Sequence, residues 1–273
     1  MKKFFIFLAA LFFSVCVIGQ QKFSVSSPDG KLKFSLKILP ETISYDVKYD
    51  QQLIVNNSIL GFNFDSGEFG ANIRAGKVQR RNINETYNLI VGKVGIAHNH
   101  CNELVVPLQE KSSSRRLINL AVRVFDDGVA FRYEFPKQEG WSSYVMYDER
   151  TQFNINGNPM ALLMYLPGYI NTHENVYTHV RYDEITNENL IEMPVTMEFD
   201  RNIFLSITEA AIRNYAGMYL MKEGEKLVGK LSPRLGQEKI KVEINEFPHI
   251  TPWRVISVAN RIGGLIESNI LPA

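Results

Sequence analysis

Cysteine is scarce in this 273-residue sequence, which contains only Cys16 and Cys101. Two cysteines allow at most one intrachain disulfide, and the CxxC spacings of zinc ribbons are missing. If a leader containing Cys16 is removed, Cys101 has no partner within the chain. We therefore expect the fold to depend on its hydrophobic core alone.

An excess of charge of either sign is also missing. The chain has 30 Lys and Arg residues against 29 Asp and Glu residues, a net charge of +1, so no basic face favours nucleic acid or an anionic membrane. A nucleophile elbow, a phosphate-binding glycine loop and a dinucleotide fingerprint are absent as well. With 45% hydrophobic residues, the composition is that of a globular protein with a sizeable core.

The N-terminus has the pattern of a secretory signal peptide. Lys2 and Lys3 precede an apolar run over residues 4–18, which is short for a transmembrane span, and a polar break follows Gly19. We expect residues 1–19 to be cleaved and the mature chain to be periplasmic or secreted. A lipid anchor on Cys16 is the alternative, although Val15 stands where lipobox sequences have Gly or Ala.

From residue 22 onward, apolar and polar residues alternate with a period of two, as in strands with one buried face. The clearest unit, residues 116–135, has two such runs around Asp126-Asp127-Gly128. We expect it to form a hairpin whose turn uses the left-handed conformations that Asp-Gly favours. Further predicted strands cover residues 31–38, 42–49, 62–65, 161–166, 193–199, 202–208, 217–221, 239–244 and 253–259.

Helical periodicity is almost missing, and its best candidate is the short stretch 208–216. Many short strands without a Pro/Ser-rich linker predict an all-β fold over residues 20–273, a single large antiparallel sandwich.

Two polar stretches could bind a metal. In "NTHENVYTHV", residues 171–180, His173 and His179 are six residues apart. In a helix this spacing would place them on different faces, whereas in a strand they would share one face. Glu174 adds a carboxylate to this stretch. In "HNHCNEL", residues 98–104, His98 and His100 project to one face of a strand and Glu103 follows. A solvated polar loop or strand end is the alternative at both places.

Several blocks, in order, resemble the N-terminal domain of glycoside hydrolase family 97, the exported α-glucosidases and α-galactosidases. They cover most of the chain after the leader: "SPDGKLKFSL" (27–36), "HCNEL" (100–104), "DDGVAFRYEFP" (126–136), "LSITEAAIRNYAGMYL" (205–220), "LSP" (231–233) and "TPWRVISVANRIGGLIESNI" (251–270). The sequence departs from the family at Val91-Gly92-Lys93, where the family has a Trp-Gly-Glu-like segment.

The resemblance implies a β-sandwich similar to galactose mutarotase, packed on a (β/α)8 barrel that carries the catalytic carboxylates and acts on α-linked glycans. It implies that this chain contains no catalytic residue. It also implies that a glutamate following a Pro-Gly turn, here Glu174 after Pro167-Gly168, donates one ligand to calcium. The other calcium ligands belong to the barrel, so the site in this chain would be incomplete.

Two alternatives remain open. A stand-alone carbohydrate-binding module would need a strip of exposed aromatic side chains, for which the candidates are Trp141, Tyr144, Tyr165 and Tyr177. A mutarotase-like epimerase would need a histidine and a carboxylate facing each other, for which the candidates are His98, His100 and Glu103.

Overall fold

The computed structural model describes residues 20–90, 92–187 and 189–271. The expected signal peptide, residues 1–19, lies outside the described residues, and so does the alternative anchor at Cys16. In the described part the regular structure is almost entirely antiparallel β-strand, which confirms the predicted fold class. The strands form one large sheet and two small ones.

The two small sheets have four strands each and come mainly from the N-terminal third. The first has the order β1-β2-β3-β4, with β1 (Gln21–Ser26), β2 (Leu32–Ile38), β3 (Ile43–Tyr49) and β4 (Gln52–Leu60). The second contains β5 (Phe62–Phe64), β6 (Gly67–Phe69), β12 (Tyr144–Glu149) and β19 (Val242–Ile244), in the order β19-β12-β5-β6.

The large sheet has thirteen strands, nine of which form its main path in the order β14-β13-β15-β16-β21-β11-β10-β9-β7. The remaining four strands lie off this path. Strand β8 pairs with β9, and β20 pairs with β11. Strand β17 pairs with both β15 and β18. The strands are β7 (Ile73–Ala75), β8 (Gln79–Asn88), β9 (Ile96–Glu110), β10 (Leu117–Phe125), β11 (Gly128–Phe135), β13 (Met160–Leu166), β14 (Tyr177–Arg181), β15 (Leu190–Phe199), β16 (Ile203–Ala210), β17 (Met218–Glu223), β18 (Lys226–Leu231), β20 (His249–Ile250) and β21 (Trp253–Ala259).

The core lies between the small sheets and one face of the large sheet. Phe34 of the first small sheet packs on Phe131 with ring centroids 6.2 Å apart, and Phe62 of the second packs on Tyr133 at 4.5 Å. Because strand side chains alternate between faces, each period-two run contributes apolar residues to this interior. The central strand β21 is buried along both faces, since a smaller apolar cluster around Trp253 covers its other side.

The predicted hairpin is confirmed, but the reason given for its glycine is wrong. Strands β10 and β11 are joined by Asp126 and Asp127, and Phe125 pairs with Gly128. None of the three turn residues has a positive φ. A Cβ on Gly128 would instead lie 2.6 Å from Cδ1 of Ile270 and 2.8 Å from the carbonyl oxygen of Ile256. Glycine is therefore required by close packing and not by the turn.

The helix expected over residues 208–216 is wrong. Strand β16 continues to Ala210 and pairs with β21, so that Glu209 lies opposite Arg254. After it, Ala211 and Asn214 adopt positive φ values of 58° and 49°, which end regular structure. A nine-residue helix is marginal by itself, whereas the neighbouring strand supplies a full set of hydrogen bonds.

The other predicted strands are present, although the one expected over residues 239–244 shortens to Val242–Ile244. In the part of the chain that the structure describes, helix is confined to a 3-10 turn, Tyr182–Glu184, and to α1 (Ile262–Glu267). Within the described residues, neither has the length or hydropathy that a membrane-spanning helix needs.

Candidate metal-ligand loop and adjoining cleft

The loop of residues 167–176 connects β13 to β14 at one edge of the large sheet, and its own asparagines hold it in shape. Nδ2 of Asn171 donates to the carbonyl of Gly168 at 2.7 Å, and Oδ1 of Asn171 accepts the backbone N–H of His173 at 2.5 Å. Nδ2 of Asn175 donates to the carbonyl of Tyr165 at 2.9 Å. Short polar side chains that bond to nearby backbone stabilise such turns.

His173 anchors this loop to the sheet. Its Nδ1 lies 2.7 Å from Oε2 of Glu192 on β15, and its ring stacks on Tyr219 of β17 with centroids 6.2 Å apart. Tyr219 in turn makes an edge-to-face contact with Tyr169 at 5.5 Å. His173 lies in the loop while His179 lies within β14, so the single strand face proposed for the two histidines does not form.

Glu174 follows His173 and is exposed. In the described part of the chain its carboxylate has no hydrogen bond and no ion pair, whereas the side chains of Asn171, His173 and Asn175 are all engaged. No group of three or more His, Cys, Asp or Glu side chains suited to a metal occurs among the described residues. Because calcium takes about six to eight oxygen ligands, Glu174 can supply only part of such a site.

A cleft of about 1240 Å³ adjoins the loop. Gly168, Tyr169 and Ile170 form one wall, and Tyr147 and Tyr219 contribute two more aromatic rings. The opposite wall is the segment of residues 232–241, whose Lys241 places its Nζ 5.6 Å from the centroid of Tyr169. The loop that carries Glu174 and this cleft therefore form one continuous surface.

A different set of charges lies inside the sandwich. Arg254 of β21 is fully buried and donates to both carboxylate oxygens of Glu149, at 2.9 and 2.6 Å, and to Oε2 of Glu209 at 2.5 Å. Glu149 also accepts from Tyr215 at 2.7 Å and from Thr151 at 2.8 Å. We refer to Arg254, Glu149, Glu209, Tyr215 and Thr151 as the buried ion cluster.

The two acids of the buried ion cluster titrate differently. Burial alone would raise the pKa of Glu149, but the charge and hydrogen bonds of Arg254, with those of Tyr215 and Thr151, hold that pKa below its usual value. Burial raises the pKa of Glu209, and Arg254 offsets the rise only in part. The sequence reasoning missed this cluster. An arginine inside the apolar run of residues 253–259 was the available signal.

The second candidate metal stretch is divided between two faces of β9. His98 and His100 are exposed and share a face, as expected, whereas Glu103 is buried at the opposite parity. Glu103 accepts from Arg81 at 2.6 Å and from Arg123 at 2.9 Å. These interactions overcome the effect of burial and hold the pKa of Glu103 below its usual value. His98 and His100 therefore do not face Glu103, and the acid–base pair that an epimerase would need does not form from these three residues.

The aromatic strip suggested for a carbohydrate-binding module does not form either. Trp141 and Tyr144 are buried in the core and contact Phe64 and Phe135. Tyr165 is half-buried, and its hydroxyl accepts the backbone N–H of Thr186. Only Tyr177 of the four candidates is well exposed.

The chain is thus a large antiparallel β-sandwich domain, with a shaped loop whose single carboxylate, Glu174, has no partner in the described part of the chain. The comparisons with known proteins place it more narrowly. Residues 25–273 match the family described as glycosyl-hydrolase 97 N-terminal. The chain belongs to glycoside hydrolase family 97, as its N-terminal domain.

Relatives agree with this assignment. A retaining alpha-galactosidase of Bacteroides thetaiotaomicron is 22% identical over 99% of this chain and 43% of its own length. A family 97 enzyme from Pseudoalteromonas sp. strain K8, solved with panose, is 28% identical with a TM-score of 0.84, covering 91% of this chain and 37% of that one. A β-arabinopyranosidase structure is 22% identical with a TM-score of 0.82 over 92% of this chain and 42% of that one. The chain spans about two fifths of the length of these relatives.

Proposed function

We propose that this chain is the N-terminal accessory domain of an exported family 97 α-glycosidase, not catalytic by itself. In this proposal it packs on a (β/α)8 barrel that acts on α-linked glycans, and Glu174 donates one ligand to a calcium ion held mainly by barrel carboxylates. The observation that carries the proposal is a shaped loop whose one carboxylate, Glu174, has no partner in the described part of the chain.

Exposed apolar side chains around this loop support the packing. Ile170, Val176 and Leu235 are 91%, 81% and 94% exposed, and all three lie on the loop or on the facing segment of residues 232–241. Large apolar side chains that are exposed together are a common sign of an interaction surface. We refer to these three residues as the apolar rim.

The donor chemistry of Glu174 fits calcium. A carboxylate oxygen is the ligand that calcium prefers, and an exposed side chain without a partner can move to meet it. A bound calcium ion would polarise the glycosidic bond or orient the general acid. The contribution of this chain is positional, because His173 ties the loop to β15 and β17 and so limits where Glu174 can reach.

Export is a separate part of the proposal, and it depends on residues 1–19. Expression of the full gene product in a Gram-negative host, followed by mass spectrometry of the periplasmic fraction, should give a mature protein that begins at Gln20. A lipid-modified product that begins at Cys16 would replace this part of the proposal with the anchored alternative.

Packing can be tested with the separately expressed barrel of a family 97 enzyme. Sedimentation of the mixture should show a complex, and Val176→Glu should weaken it by about tenfold or more, because a buried unpaired charge at an interface is costly. Ile96→Glu is the matched control. Ile96 is also exposed, but it lies on β9, towards the opposite side of the large sheet from β14. Equal effects of the two substitutions would count against this packing surface.

A further inference from the structure

Two of the five histidines lie beside each other on a solvent-exposed strand face. His98 and His100 are two residues apart on β9, and both are exposed. In the described part of the chain neither imidazole takes part in a hydrogen bond, an ion pair or a ring contact. The other three histidines differ, because His173 is paired with a glutamate, His249 is buried and His179 is a single exposed histidine on β14.

The backbone that carries this pair is supported from one side. Strand β9 pairs with β10 only from Cys101 onward, so residues 96–100 form a two-stranded ribbon with β8. One face of the ribbon is buried, since Ala97, Asn99 and Cys101 are 0%, 4% and 0% exposed. Because alternate residues of a strand point to opposite faces, the two histidines are directed to solvent from a fixed backbone. A ligand that binds them therefore has little backbone to order.

The spacing of the two histidines suits chelation of one ion. A rise of about 3.3 Å per residue separates the Cα atoms of residues i and i+2 by roughly 6.5–7 Å. Both side chains leave the same face, so rotation about their side-chain bonds can direct one nitrogen of each imidazole to a common point. Once one imidazole holds an ion, the other is present at a high effective concentration.

Strand β8 places two neutral polar side chains directly opposite the pair. Asn84 lies opposite His100, and Thr86 lies opposite His98. Cβ atoms of such directly opposed residues are about 4.5–5.5 Å apart. In the described part of the chain the side chains of Asn84 and Thr86 are not bonded elsewhere. They can therefore hydrogen-bond the water ligands of a metal ion held by the two imidazoles.

The thiol and the charged groups of the two strands are directed away from the pair. Cys101 and Glu103 lie on the other face of β9, where burial raises the pKa of the Cys101 thiol to about 11 and two arginines bind Glu103. On the histidine side of β8 the nearest charged residue is Arg80, and its Nη1 donates to the carbonyl of Ser24 at 2.7 Å. The ligands on offer are thus two neutral nitrogens, without a thiolate or a carboxylate.

We infer that His98 and His100 form a surface site for one divalent transition metal ion, with Cu²⁺ preferred over Ni²⁺ and Zn²⁺. Imidazole nitrogen suits all three ions, and a given set of nitrogen ligands binds Cu²⁺ most tightly among them. Calcium and magnesium take oxygen ligands and are not expected here. Strand β9 lies towards the opposite side of the large sheet from β14, so this site does not depend on the proposed role of Glu174.

The inference is tested by calorimetric titration of the purified chain, without a histidine tag, with CuCl2, NiCl2 and ZnCl2. One Cu²⁺ should bind per chain, more tightly than Ni²⁺ or Zn²⁺. His98→Ala and His100→Ala should each weaken Cu²⁺ binding by about tenfold or more, since even loss of an outer partner of a metal ligand costs about 10–100-fold. His179→Ala removes an isolated exposed histidine, and as the matched control it should change the affinity by less than about twofold.

Electron paramagnetic resonance of the Cu²⁺ complex gives a second measurement, with two imidazole nitrogens expected in the parent and one in each of the variants His98→Ala and His100→Ala. Both histidines are exposed, so these variants should keep the urea midpoint of the parent.

Independent binding by separate histidines would give a different pattern. Each single variant would then lose part of the bound copper while the affinity of the remaining copper stayed unchanged, which would contradict chelation. The inference would also be overturned by equal weakening in His179→Ala, or by the absence of saturable Cu²⁺ binding at up to about 1 mM metal. Tighter binding of Zn²⁺ than of Cu²⁺ would contradict the assigned preference.

Discussion

The buried ion cluster and the Glu174 loop use the same kind of side chain under opposite conditions. In the cluster, Glu149 is surrounded by Arg254, Tyr215 and Thr151 and is almost fully removed from solvent. In the loop, Glu174 is exposed and has no partner in the described residues, although its neighbours are firmly bonded. Charges that are fully paired inside a protein serve its fold, whereas an unpaired charge on a shaped surface is available for a ligand.

The largest effect should follow loss of the arginine from the buried ion cluster. Arg254→Met leaves Glu149 and Glu209 buried without their cation and should reduce the free energy of unfolding by about 3–5 kcal/mol. Urea denaturation followed by circular dichroism measures it. Arg261→Met is the control, because Arg261 pairs with Glu267 on the surface, and it should leave the midpoint unchanged. An Arg254→Met protein as stable as the parent would mean that the cluster does not stabilise the fold.

The second-largest effect should be a fall in the free energy of unfolding in acid, because three buried carboxylates become protonated and lose their ion pairs with arginine. The pKa values of Glu103, Glu110 and Glu149 are held below their ordinary value of 4.5 in the folded state by neighbouring arginines, which outweigh the opposing effect of burial. The unfolded chain therefore takes up these protons first. The stabilisation is complete above the unfolded pKa of about 4.5 and is lost as pH falls through the lower folded values.

Urea midpoints measured from pH 7 to pH 3 check this prediction. Glu209 acts in the opposite direction, because its pKa is raised and its protonation favours the folded state, so it offsets part of the loss. Glu149→Gln should make the acid slope shallower, whereas Glu139→Gln, at an exposed position, should keep the parent slope. Identical slopes in all three proteins would show that the cluster is not the source.

Substitution of glycine by alanine should reduce the free energy of unfolding in the packed sheet but not in the open loop. Gly128→Ala brings a Cβ within 2.8 Å of the backbone carbonyl oxygen of Ile256, which cannot move aside as a side chain can, and should cost about 1–3 kcal/mol through overpacking. Gly168→Ala in the loop meets nothing within 4 Å and has no positive φ, so its unfolding free energy should stay within about 0.5 kcal/mol of the parent. Comparable losses from both substitutions would contradict the difference in packing.

The smallest effect on global stability should come from His173→Ala. The side chains of His173 and Glu192 are 47% and 25% exposed, and ion pairs in contact with solvent contribute about 0.2–1 kcal/mol. Loss of the ring should instead loosen the loop, so backbone amides of residues 171–176 should exchange hydrogen faster while the core strands exchange as before. Unchanged exchange in the loop would mean that His173 does not anchor it.

The sequence predicted most of the fold, because strands with one buried face leave a period of two that can be read directly. It failed where distant partners decide the structure. Residues 208–210 are strand because β21 lies beside them, and Gly128 is required by Ile256 and Ile270. The shape of the Glu174 loop was also unpredictable, since His173 reaches Glu192 and Tyr219 in other strands. The resemblance to family 97, and not spacing, was what drew attention to Glu174.

The most direct test of the central proposal is the calcium affinity of a fusion in which this chain precedes the barrel of a family 97 enzyme. The isolated chain should bind calcium weakly, since it supplies only one carboxylate, and the fusion should bind it tightly. Glu174→Gln should weaken the affinity of the fusion by about tenfold or more, and Glu139→Gln should leave it unchanged. Tight stoichiometric calcium binding by the isolated chain, or equal affinity of the fusion with and without Glu174, would contradict the proposal.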